Sequence, residues 1–175
     1  MDMLGVWYAI TLLGTPEFWG LAAAGLLVIY VAMDRLATGN NAWKRCKPGL
    51  KKFLFVFLPS IALVFALTLG IKTLWYIPRP CTPCSVTPAN CNPFCDIDSS
   101  FPSGHAATAF VVFTSVYMTF RKRWILSLFI IPVLIAYSRI ALGVHTWVDV
   151  LGGAFLGLII PILVSIIIQK KHKSS

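Results

Sequence analysis

The chain alternates between apolar runs and short breaks that are basic, proline-rich or cysteine-rich. Residues 3–13 are apolar but about half the length of a bilayer span, so they predict a short helix lying at the interface. Gly14-Thr15-Pro16-Glu17 ends that run and starts the next helix, with Thr15 as N-cap, Pro16 at the first helical position and Glu17 in the first turn. The pattern then predicts spans over residues 16–33, 53–71, 104–120, 124–137 and 147–168. The second helix is expected to run on to about Tyr76 and to stop before Pro78. A basic connector over 34–52, a loop over 81–101 without helical period, the turn Arg121-Lys122-Arg123 and a basic tail from Lys170 separate these spans. At about 1.5 Å per residue the third and fourth spans reach only about 20 to 26 Å, short for a core of about 30 Å. The fold class expected is therefore all-α: an integral membrane helical bundle of five transmembrane helices plus a short N-terminal interfacial helix, in a single domain over 1–175.

Composition agrees: 58% of the 175 residues are hydrophobic and 12% charged, and the mean hydropathy is +0.80, too apolar for a soluble domain of this size. The net charge of +9 is not arranged as a basic stripe interleaved with aromatics, and a nucleic-acid partner is not expected. No Lys or Arg precedes the first apolar run, which argues against a cleaved signal peptide. If the connector after the first span is cytoplasmic, the turn at Arg121 and the tail are too. Twelve of the fifteen Lys and Arg then lie inside, as the positive-inside rule requires. The tryptophans Trp7, Trp19, Trp43, Trp75, Trp124 and Trp147 fall near the expected interfaces.

Four of the five cysteines, Cys81, Cys84, Cys91 and Cys95, lie in the loop placed outside. An oxidising compartment favours two disulfides, in any of three pairings. A four-cysteine zinc site is the rival, because Cys81-x-x-Cys84 has ligand spacing. Cys46 has no partner on its side and is a bystander.

The cations left on the outer side are Lys72, Arg79 and Arg139. They stand at the ends of spans together with Ser103-Gly104-His105, His145 and Asp149. Each has an ordinary explanation alone: snorkelling for Lys72, a loop charge for Arg79, a helix anchor for Arg139, a capped helix at Ser103, a helix-face hydrogen bond for His145 and Asp149. Together they suit a phosphate group. Three cations and the amides at the start of the third span can hold the non-bridging oxygens. One histidine can attack phosphorus while the other protonates the leaving oxygen and later activates water. A carboxylate that orients its ring would mark His145 as nucleophile, with Asp149 as the orienting group and His105 as acid and base. No carboxylate cluster offers a metal site near these residues, so no metal or other cofactor is expected.

Lys72-x6-Arg79-Pro80, Pro102-Ser103-Gly104-His105 and Ser138-Arg139-x5-His145-x3-Asp149 resemble the three signature motifs of the type 2 phosphatidic acid phosphatase (PAP2) superfamily, matching all eleven fixed positions. The resemblance implies metal-independent hydrolysis through a phosphohistidine at His145, with phosphate held by Lys72, Arg79, Ser103, Gly104 and Arg139. The superfamily's vanadate-dependent haloperoxidases are soluble, and five spans weigh against that branch. The membrane branch implies a lipid phosphate substrate at the outer face of a bacterial cytoplasmic (inner) membrane. The chain is similar to the small bacterial members: lipid A 1-phosphatases, phosphatidylglycerophosphate phosphatases and undecaprenyl diphosphate phosphatases. Its compact core and disulfide-prone loop suit a Gram-negative periplasm and favour lipid A 1-phosphate. A non-catalytic lipid-phosphate binder and a phosphoryl or headgroup transferase are the readings from other classes. The sequence is silent on oligomeric state.

Overall fold

The computed structural model describes residues 3–36, 40–87 and 90–173. Outside it lie 1–2, 37–39, 88–89 and 174–175, which include part of the basic connector and two positions of the cysteine-rich loop. The helices are α1 (Met3–Leu12), α2 (Pro16–Leu36), α3 (Asn41–Leu74), α4 (Gly104–Phe120), α5 (Ile130–Ala141) and α6 (Trp147–Lys173). Among the described residues, four stretches are long and apolar enough to cross a membrane: Met3–Leu36, Asn41–Leu74, Arg123–Ala141 and Trp147–Lys171. The shorter apolar helix Gly104–Phe120 lies among them.

The break between α1 and α2 forms as its sequence requires. Thr15 Oγ1 accepts from Phe18 N at 3.4 Å, Pro16 opens α2 and Glu17 sits in its first turn. Two expectations change. Most of the connector is helix, because the Asn40 side chain caps α3 by accepting from the amides of Ala42 and Trp43, and the basic residues after it ride on the first turns. The fourth span is also longer than its apolar run. It begins as a 3-10 helix over Arg123–Phe129 and runs through Ser138 and Arg139 to Ala141. With about 2.0 Å of rise per residue in the 3-10 part, the whole stretch reaches about 32 Å, enough to cross.

α4 is the central helix. Ala106, Ala107 and Ala109 are fully buried, and α6 meets α4 through Gly153 and Gly157. A Cβ on Gly157 would stand 2.6 Å from Phe110 Cβ and 3.0 Å from Val111 N, so only glycine permits this approach. Lipid offers no hydrophobic drive for helices to associate, and small residues let backbones pack closely instead. Large apolar side chains correspondingly face outward, among them Phe55, Phe65, Leu151 and Phe155. α1 packs against α5, with Trp7 edge-on to Tyr137 and Thr11 buried. It is therefore tied into the bundle, beyond the interfacial role expected of it.

Candidate active site

α3 and α5 end, and α4 and α6 begin, at one end of the bundle. The loop between α3 and α4 closes over this end. Its cysteines pair as Cys81–Cys95 and Cys84–Cys91, which selects one of the three pairings and uses the thiols a zinc site would need. Cys46 is free and exposed. Asn92 Nδ2 donates to Leu142 O at 2.7 Å, pinning the loop to the α5–α6 turn, and the Phe94 ring packs at a tilt against Tyr8 of α1.

Under the loop is a cavity of about 700 Å³ lined by Lys72, Arg79, Gly104, His105 and His145, with Asp96 and Asp98 at its rim and an apolar wall along α3 that includes Val64, Phe65 and Leu69. Arg79 is buried. Its Nη1 donates to Val144 O at 3.2 Å and stands 3.2 Å from His145 Nε2. Arg139 is buried at the end of α5, and its Nη1 donates to Thr11 Oγ1 at 3.1 Å, across 128 residues of chain. Gly104 faces open space, since a Cβ there would meet nothing within 4 Å; its lack of a side chain therefore leaves room for a ligand. All eight residues expected at the site, Lys72, Arg79, Ser103, Gly104, His105, Arg139, His145 and Asp149, gather at this end.

Two local expectations need correction. Ser103 occupies the N-cap position of α4, but its hydroxyl makes no cap bond. The position is held instead by the backbone, through Ser103 N donating to Asp149 O at 2.9 Å. The Ser103 hydroxyl is buried without a hydrogen-bond partner, as is Nε of Arg139. His145 and Asp149 also do not form a direct helix-face hydrogen bond. Their closest atoms, Nδ1 and Oδ2, are 3.6 Å apart, beyond N–H···O range. The reason is that His145 precedes α6. Asp149 folds back onto Thr146, accepting from its amide at 2.7 Å while Thr146 Oγ1 accepts from Asp149 N at 3.4 Å. This is a capping box, and the spacing Thr146-x-x-Asp149 was its sequence signal.

Residues without an expected role also enter the site. Asp98 pairs with Lys72 and Arg79, and Asp96 lies 3.2 Å from Arg79 Nη2 and 3.9 Å from Arg139 Nη2. All three cations thus face loop carboxylates. Burial pushes the Asp98 carboxyl up, but hydrogen bonds and charge from Lys72 and Arg79 outweigh it and hold the pKa below the ordinary carboxylate value. Burial, reinforced by the charges of Arg79 and Arg139, lowers His145 to about 3 against the opposing pull of Asp149. Its imidazole is neutral at pH 7, with a lone pair available.

A helical bundle of membrane-spanning length, with three cations and two histidines gathered around a cavity at one end, defines the class. The chain belongs to the PAP2 superfamily, whose sequence profile matches residues 53–173. Its architecture resembles that of LpxE from Aquifex aeolicus, with a TM-score of 0.64 and 25% identity over 93% of this chain and 84% of the other. It also resembles a transmembrane PAP2-type phosphatidylglycerolphosphate phosphatase from Bacillus subtilis, with a TM-score of 0.59 and 27% identity over 96% and 77% of the two chains. YbjG of Escherichia coli strain K12, provisionally assigned as an undecaprenyl-diphosphatase, is 41% identical over 63 residues. That match covers 35% of this chain and 31% of YbjG.

Proposed function

We propose that this protein is a membrane lipid phosphate phosphatase working through a phosphohistidine at His145. The observation that carries the reading is the convergence of Lys72, Arg79 and both histidines on one cavity with an apolar wall, with the buried Arg139 behind it, 3.9 Å from the lining residue Asp96. Lys72, Arg79 and Arg139 neutralise the phosphate oxygens, and the amides opening α4 add donors beside Gly104. The unpartnered Ser103 hydroxyl and Arg139 Nε supply further donors, which a bound phosphate would satisfy. The apolar face of α3 receives the lipid chains.

Arg79 can only donate, so His145 Nε2 beside it is the acceptor and carries the attacking lone pair. Nε2 bonds to phosphorus as the phosphorus–oxygen bond to the lipid breaks, and His105 protonates the departing oxygen. Water then gives His105 a proton as it attacks phosphorus, and the phosphorus–nitrogen bond breaks to release phosphate. Side-chain cations supply the positive charge in both steps, so a chelator is expected to leave activity intact.

The preferred substrate is lipid A 1-phosphate, presented at the outer face of a bacterial inner membrane. The structural similarity to LpxE supports this preference. Phosphatidylglycerophosphate and undecaprenyl diphosphate are the competing substrates, each suggested by a relative's name. The test is purified protein incubated with all three, with lipid products and free phosphate both measured. Release of phosphate from at least one, abolished in His145→Ala, is expected. Undiminished hydrolysis by that variant would refute the phosphohistidine assignment, and binding without turnover would favour a lipid-phosphate binder.

A further inference from the structure

We infer that Ser100 is a positioning residue that couples Asp149 to the imidazole of His145. The inference rests on the phosphohistidine reading for its consequences in catalysis, but the geometry behind it stands independently. Because Arg79 Nη1 donates to Nε2 of the neutral ring, the ring proton is on Nδ1. The acceptor within reach of that proton is Ser100 Oγ at 3.4 Å, since Asp149 Oδ2 at 3.6 Å lies beyond hydrogen-bond range. Ser100 Oγ in turn lies 2.6 Å from Asp149 Oδ2. A hydroxyl has one proton and two lone pairs. The carboxylate has no proton, so the Ser100 proton goes to Asp149 and an oxygen lone pair is left toward Nδ1–H.

Ser100 is held in place from the other side. It is 1% exposed, and its amide donates to Ile77 O at 2.8 Å. The adjacent Ser99 Oγ accepts from Ile77 N at 3.0 Å and donates to Trp75 O at 3.1 Å. The segment leading to Arg79 and the segment leading to Ser103 are thereby strapped together, and Ser100 stands where both meet the start of α6. Its hydroxyl fixes the ring tautomer that leaves Nε2 free to attack. It also passes the negative charge of Asp149 to the ring when the phosphorus–nitrogen bond makes that ring cationic.

The expected result for Ser100→Ala is a fall of about 10- to 100-fold in the single-turnover rate constant, the range typical of a lost orienting partner on a histidine. KM and inhibition by inorganic phosphate should stay within about twofold, because no phosphate-holding cation is touched. Single turnover under enzyme excess separates a slower site from a smaller folded fraction. Ser100→Thr, which restores the hydroxyl, should recover part of the loss. The Ser100→Ala/Asp149→Asn double variant should be no slower than Asp149→Asn alone, since both act through one ring. A Ser100→Ala rate within twofold of the parent, or losses that multiply in the double variant, would overturn the inference. Nitrogen-15 chemical shifts of the His145 side chain provide a readout that needs no turnover. They should report Nδ1–H in the parent and a mixture of tautomers in Ser100→Ala, and an unchanged tautomer would refute the coupling even if the phosphohistidine reading failed. Activity surviving in His145→Ala, by contrast, would overturn that reading and leave the nitrogen-15 result to decide the role of Ser100.

Discussion

Asp149 and Asp98 face basic groups at the same end of the bundle, yet their settings differ. Asp149 is buried on the first turn of α6 and accepts from Ser100 and from the Thr146 amide. Asp98 lies on the loop, its side chain 48% exposed, with Lys72 and Arg79 as its partners. Moving Asp149 would dismantle the start of a helix and strand a buried charge, whereas water can replace what Asp98 loses. On the proposed mechanism, the difference separates the carboxylate that belongs to the machinery from the one that occupies the cations until phosphate arrives. A carboxylate and a phosphate oxygen present similar acceptors to a guanidinium, so on that mechanism Asp98 and Asp96 stand where the substrate would bind.

Removing the charge of the fixed carboxylate should have the larger effect. Asp149→Asn is expected to lower turnover by roughly 10³- to 10⁴-fold with little change in KM, as loss of the carboxylate behind a catalytic histidine does in other enzymes; steady-state kinetics on the preferred lipid checks this. Next in size, Arg139→Gln should cost on the order of 10² to 10³ in rate, the loss of one donor to a developing oxyanion. Thr11→Val, which removes the acceptor for Arg139 on α1, should cost less, about tenfold, and should weaken inhibition by inorganic phosphate. A Thr11→Val enzyme with parental phosphate inhibition would show that α1 packs on the site without shaping it.

The displaceable carboxylate should give the smallest effect and the opposite sign. Asp98→Asn is expected to lower KM and the phosphate inhibition constant severalfold at pH 7, because a competitor for Lys72 and Arg79 is gone. Asp98 is held below its ordinary value of 3.8, so it stays charged as pH falls through the usual carboxylate range and competes throughout. The gap between variant and parent should therefore close only below about pH 3.8. The stabilisation that this pairing gives the fold has the same sign: it is present above the unfolded pKa and lost as pH drops through the folded one. An Asp98→Asn enzyme with raised KM would place Asp98 among the groups that bind substrate, and the contrast with Asp149 would collapse.

Much was legible from the chain alone because it depends on local pattern. Apolar runs of membrane length located the helices, Pro16 and Thr15 marked the start of α2, and three fixed-spacing motifs named the eight residues that converge. Local pattern also misled where two structures share one composition. The basic stretch over 34–52 read as a connector between spans, although α3 already runs through most of it, and an i,i+4 spacing suggested a helix-face bond for a histidine that stands before its helix.

By itself, the sequence determined an all-α membrane bundle, the end of each helix that faces the site, and the identity of the three cations and two histidines. Only the tertiary structure decided how those groups are held: the Cys81–Cys95 and Cys84–Cys91 pairing, the Asp96 and Asp98 carboxylates over the cations, Thr11 on Arg139, and Ser100 between His145 and Asp149. The physical reason is distance along the chain. Helix periodicity and capping are set by neighbours within about four residues. The bonds that orient this site close gaps of 19, 45, 49 and 128 residues, and they form only when distant segments are brought together by the fold.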